Sequence, residues 1–177
     1  TTLEVSGNAS LTSLAGLEDW TSFSGTLAVV DNLSLTSLAG LGAASGGTLR
    51  ITGNPLLADL SGLESLTALE HLQLLGATGL QSLQGAGAVV SLGQLTVEDN
   101  PALVGFQGLS RLTAITGDVT VQRNDVLVSF EGLESVAEIG GTLFVKRNPD
   151  LYALGFTGLS GLQQIGGNLA IRQNLYG

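Results

Sequence analysis

The chain repeats itself every 22 to 26 residues, and no other feature constrains its fold as tightly. Starts align at Leu3, Leu27, Leu49, Leu72, Leu95, Val119, Leu143 and Leu169. Two residues on (the +2 column) stand Val5, Val29, Ile51, Leu74, Val97, Val121, Val145 and Ile171. At +5 stand Asn8, Asn32, Asn54, Asn100, Asn124, Asn148 and Asn174, with Ala77 as the exception. Leucines follow at +8, from Leu11 to Leu151. Leu or Phe follows at +11: Leu14, Leu38, Leu60, Leu83, Phe106, Phe130 and Leu154. A Gly-Leu pair comes next, as in Gly108-Leu109, replaced by Gly85-Ala86 in the fourth repeat. Several repeats close on Ile-Gly-Gly or a relative, in full at Ile139 and Ile165.

Alternation in Leu-x-Val puts both aliphatic residues on one face of a strand. One short strand cannot bury that face by itself, whereas copies stacked about 4.8 Å apart make a parallel sheet over a continuous core. The pattern predicts a mainly β solenoid, like a β-helix or leucine-rich repeat, of about eight turns of 22 to 26 residues. It forms a single domain over residues 1–177, read as a segment of a longer chain. The 26 glycines suit short strands and tight corners and would weaken helices.

The Asn column sits where the chain leaves each strand. A side-chain amide there can satisfy backbone groups that no strand partner reaches. We therefore expect Asn8, Asn32, Asn54, Asn100, Asn124, Asn148 and Asn174 to form a structural ladder, broken at Ala77. Asn8-Ala9-Ser10 and Asn32-Leu33-Ser34 are also formal glycosylation sequons, which a buried ladder would disfavour.

Leu-x-Val-x-x-Asn-x-x-Leu-x-x-Leu-x-Gly-Leu, closing on Ile-Gly-Gly, resembles the receptor L domain, a relative of leucine-rich repeats. The clearest copies are Leu143 to Leu154 and Ile165 to Asn174. The resemblance implies a right-handed solenoid in an extracellular or cell-surface protein that recognises or builds. Two departures stand out: receptor L domains usually have disulfide-bonded ends, and this chain contains no Cys. It also opens on a strand and closes just after one, so the expectation is that caps lie outside this segment or that the ends meet partners.

Composition narrows the function classes. A net charge of −9 argues against nucleic-acid binding, which needs a basic footprint. Without Cys there is no thiol catalysis and no thiolate zinc site. No apolar run approaches the roughly 20 residues of a spanning helix, so this segment is not expected to insert in a membrane. His71, the one histidine, is expected to be an ordinary corner residue, which leaves a Ser-His-Asp triad without support. Glu98 and Asp99 are adjacent rather than facing, unlike a glycosidase pair. Gly85-Ala86-Gly87-Ala88 is half a dinucleotide loop at most and reads as a loosely packed corner of the fourth repeat. No enzyme activity and no cofactor is expected. A β-helical carbohydrate-active enzyme is the weakest of the alternatives.

Binding would use the outward strand positions. Five of the six basic residues lie from Arg111 onward. Arg123, Lys146, Arg147 and Arg172 fall on the +3 and +4 columns of three successive repeats and should form one patch, with Gln122 and Phe144 beside them. Contact with a protein or an acidic glycan is the functional reading; a solvated face that discourages sheet association is the bland one. Ala28, Val30 and Leu75 suggest a modest apolar area on earlier strands. Trp20 and Phe23 are expected in the core. The alternative role is a structural subunit of a surface assembly or filament, self-associating through its uncapped ends.

Overall fold

The computed structural model describes residues 2–41, 45–151 and 155–174. The chain is a β-solenoid. The rung strands are β1 (Thr2–Ser6), β2 (Ser22–Val30), β3 (Ser45–Thr52), β4 (Ala68–Leu75), β5 (Ser91–Glu98), β7 (Val119–Gln122), β9 (Leu143–Lys146) and β11 (Leu169–Arg172). Short strands β6 (Ala114–Ile115), β8 (Glu138–Ile139) and β10 (Gln164–Ile165) precede the last three. All pair in parallel within one 11-stranded sheet, and the starts proposed from sequence are in register: Leu27 with Leu49, Leu72 with Leu95, Leu143 with Leu169. Eight rungs enclose seven complete turns, so the expected eight turns count rungs rather than closed circuits.

Strands β2 to β5 run through a corner that later rungs break. From β6 onward the ladder splits in two, because residues such as Thr116 to Asp118 turn between Ile115 and Val119. Backbone bonds tie the remaining sides together. Leu83 N–H donates to Gln107 O at 2.8 Å, and Phe106 N–H to Glu131 O at 2.8 Å, one rung further along.

The interior is filled column by column. Leu27, Leu49, Leu95, Val29, Ile51 and Val97 are fully buried, and so are the +8 leucines from Leu35 to Leu127. The +11 column ends in stacked rings: Phe106 on Phe130 at 5.2 Å and Phe130 on Phe156 at 5.4 Å between centroids. Leu154, expected in that column, lies outside the described residues. The last turn is two residues longer than its predecessor, 26 against 24, and Phe156 is the ring that stacks on Phe130. Trp20 and Phe23 pack against the core as half-buried residues. Phe23 pairs with Gly46, and a Cβ on Gly46 would strike the Phe23 ring, so the large residue occupies space that its neighbour lacks.

The glycine of the Gly-Leu pair is set by geometry. Gly132 has φ +106°, and a Cβ there would run into the Phe106 carbonyl of the preceding turn. Turn four is not loose at this corner: Ala86 and Val89 are buried, and Val89 N–H donates to Ala86 O at 3.0 Å.

The Asn ladder forms. Asn32, Asn54, Asn100, Asn124 and Asn148 are fully buried. Asn124 is typical: its backbone N–H and Nδ2 donate to Asn148 Oδ1, both at 3.0 Å. The same Nδ2 also reaches Val97 O and Gln122 O at 3.1 Å. Asn100, Asn124 and Asn148 thus each serve their own turn and both neighbours. At the gap, Ala77 N–H still donates to Asn100 Oδ1 at 3.0 Å. Asn32, with its Nδ2 committed to Val5 O and no exposure, leaves no room for a glycan at the second sequon.

Candidate functional site

The outward positions of β5, β7, β9 and β11 form two adjacent columns. Glu98, Gln122, Lys146 and Arg172 are paired in register at +3. Asp99, Arg123, Arg147 and Gln173 follow at +4, just past the strand ends. Charge therefore changes sign along the stack, from acidic on the fifth rung to basic on the seventh and eighth.

The expected four-cation patch is smaller than the sequence suggests, because Arg123 reaches back along the stack. Its Nε donates to Asp99 Oδ1 at 2.7 Å and its Nη2 to Asp99 Oδ2 at 2.8 Å, with Glu98 Oε2 at 3.2 Å. The fork matches carboxylate geometry. The hydrogen bond from Arg123 holds the Asp99 carboxyl below its ordinary pKa, and Asp99 raises that of Arg123. Lys146, Arg147 and Arg172 remain, and among the described residues their side chains have no hydrogen-bond or ion-pair partner. Phe144, on the same face and flanked in register by Thr120 and Ala170, is half-buried, as is Gln122.

The +4 column carries a second signature. Asp31, Asp99, Arg123, Arg147 and Gln173 all have φ between +53° and +57°, and Gly7, Gly53 and Gly76 occupy the same position in other turns with φ from +61° to +66°. The corner needs a left-handed residue. Non-glycine side chains there cost about 1 kcal/mol each. Three rungs use glycine, whereas the last four use Asp, Arg, Arg and Gln. Glycines recurring at +4 in the sequence could have revealed the backbone angle.

An open groove of about 510 Å³ lies along this corner. One side is the +4 column, with Arg123, Arg147 and Gln173; the other is the +6 column of Pro101, Asp125 and Pro149. The buried Asn ladder lies between the two columns in sequence. Pro101 and Pro149 thus become part of a surface. A groove of similar size, about 520 Å³, follows the corner between the two strand ladders past Ser22, Ser45 and Ser91, but its lining carries one charged residue, Glu70.

No protein-family model, curated protein or solved structure matches this chain. Its site must be read from its own residues. Among the described residues no group of three or more His, Asp or Glu is placed to hold a metal ion, and no helix is long and apolar enough to cross a membrane. The apolar area expected on early rungs is small: Ala28 is buried at 4% exposure, and Val30 and Leu75 are half-buried.

His71 sits at the corner that β2 to β5 run through, in register with Thr48 and Gln94. It lies within β4, where Gln73 Nε2 approaches its Nδ1 at 3.2 Å and its Nε2 lies 2.8 Å from Thr96 Oγ1. An amide donating to Nδ1 fixes the tautomer with the proton on Nε2. Burial lowers its pKa. The unfolded chain therefore takes up a proton below about pH 6.5 that the folded chain resists, and stability falls as pH drops through that value. Asp99 and Glu18, both held below the ordinary carboxylate range, add a second loss below about pH 4. The expected urea midpoint is level at neutral pH and falls in two steps. His71→Gln should remove the upper step, and an unchanged upper step would exclude His71 as its source.

Proposed function

We propose that this chain is a non-catalytic recognition module that presents the outer face of its last rungs to an anionic protein or glycan. The reading rests on one observation: Lys146, Arg147 and Arg172 sit side by side on two adjacent rungs without counter-ions among the described residues, in a chain of net charge −9. Like charges placed opposite each other across a strand pair disfavour folding. An anionic partner turns the same repulsion into affinity and steers encounter. The repeat's resemblance to the receptor L domain supports an extracellular or cell-surface setting for such a module.

The test compares the parent with K146S/R147S/R172S on arrays of glycans and acidic proteins at low and high salt. Parent binding should be lost in the variant and should weaken with salt as the Debye length shrinks. Absence of binding by either form, or equal binding by both, would sink the proposal.

A second reading is a structural subunit of a larger assembly. It is supported by the edge rungs, whose core columns are exposed: Leu3 at 36%, Leu169 at 57% and Ile171 at 47%. These columns would bury against a further rung, including one from another copy. Light scattering over a concentration series should then show growth, and concentration-independent monomers would refute it.

A further inference from the structure

We propose that the strand-exit groove binds an acidic saccharide, with Arg147 taking a ligand carboxylate and Asp125 and Gln173 taking its hydroxyls. The inference rests on the recognition reading and assigns it a place and a ligand class. Three observations converge on the groove rather than on the sheet face beside it.

The backbone comes first. Arg147 and Gln173 hold left-handed conformations, φ +54° and +55°, at a corner where Gly7, Gly53 and Gly76 serve in other turns. A side chain kept where glycine relieves strain points to a task for that side chain. The second is the division of labour between two arginines. Arg123 is locked in a fork on Asp99, whereas the guanidinium of Arg147, one rung on in the same groove, has no partner among the described residues. A guanidinium without a counter-ion offers parallel N–H donors that match a carboxylate.

The third is the mixture of chemistries. The groove, about 510 Å³, falls within the roughly 300–1,000 Å³ of small-ligand sites. It combines that cation with an acceptor carboxylate outside the arginine fork, Asp125, an amide that donates and accepts, and the apolar faces of Pro101 and Pro149. A polyanionic peptide brings several carboxylates to a groove with one unpaired cation, Arg147, and the Asp125 carboxylate repels the rest. A sugar acid suits both: its carboxylate meets Arg147, its hydroxyls donate to Asp125, and its C–H faces lie on proline. The lining spans four rungs, about 14 Å at 4.8 Å per step, which favours a chain over a single ring.

The experiment is calorimetric titration of the whole chain with a tetrasaccharide carrying one uronic acid, its carboxyl-reduced neutral form, and polyglutamate of equal length. Two variants carry the comparison, R147G/Q173G in the groove and K146S/R172S on the sheet face. The parent should bind the uronate more tightly than the neutral sugar. R147G/Q173G should weaken it at least tenfold while melting no lower than the parent, because glycine suits both corners. K146S/R172S, which removes two cations beside the groove but none of its lining, should weaken it less than R147G/Q173G does. Loss confined to K146S/R172S would overturn the groove and leave the recognition reading standing. Binding of polyglutamate in preference to the uronate would overturn the saccharide in favour of an acidic protein. No uronate binding by the parent overturns the proposal whatever the wider arrays show.

Discussion

Asn124→Ala is expected to lower the free energy of unfolding by about 4 kcal/mol. The side chain is fully buried, and its loss strips partners from groups in three turns. Asn100 N–H and Nδ2 lose their acceptor, Asn124 Oδ1, each at 3.1 Å. Val97 O and Gln122 O lose a donor. A buried polar group left without a partner costs about 1–3 kcal/mol, which Asn100 N–H bears, and the other lost bonds add about 0.5–1 kcal/mol each, because Asn100 Nδ2 keeps Leu74 O and Glu98 O and Gln122 O keeps Asp99 N–H. Urea unfolding measures the difference, and a change below about 1 kcal/mol would show that the ladder is redundant. The chain carries its own control at Ala77. No carboxamide stands there to accept the Asn54 N–H, as Asn54 Oδ1 accepts that of Asn32 at 3.0 Å. Ala77→Asn should therefore stabilise by about 1 kcal/mol, the worth of one net hydrogen bond.

Phe130→Ala should cost a similar amount, about 4 kcal/mol, by a different route. Its ring is fully buried between Phe106 and Phe156. Removing it forfeits transfer free energy and leaves a cavity that the rigid turns cannot close. In a stack where each turn touches only its neighbours, the weakened interface also divides the molecule. Unfolding should broaden, with a lower dependence on denaturant concentration than in the parent. Phe130→Leu restores the residue found in the same column at Leu38, Leu60 and Leu83 and should cost only about 1–2 kcal/mol. Equal losses for Ala and Leu would show that stacking geometry, rather than volume, holds the column.

Most of the fold was legible because every rung restates the same constraint. Leu-x-Val, Asn at +5 and leucines at fixed steps each fix an inward column, and eight copies of a weak local signal leave little freedom in register. Where the copies differ, legibility fails. Leu154 follows the arithmetic of the repeat, yet Phe156 stacks on Phe130, because a 26-residue turn shifts the count by two. Ala28 occupies an outward column yet is 4% exposed, because a methyl group is covered by longer neighbours.

The basic patch divides in the same way. The sequence placed Arg123, Lys146, Arg147 and Arg172 together, since columns and rung spacing follow from the repeat. It could not say which way a flexible arginine reaches. Arg123 turns back to Asp99 and leaves three cations without counter-ions, a choice set by the 2.7 Å geometry of a fork and not by spacing. The groove is likewise tertiary: Pro101, Asp125 and Pro149 are 24 residues apart and meet because successive turns stack. The sequence by itself determined the architecture, because burial of periodic apolar columns is dictated by residue type and period. Only the folded chain decided which charges stay unpaired and where a ligand has room, because those depend on side-chain direction and on contacts between turns.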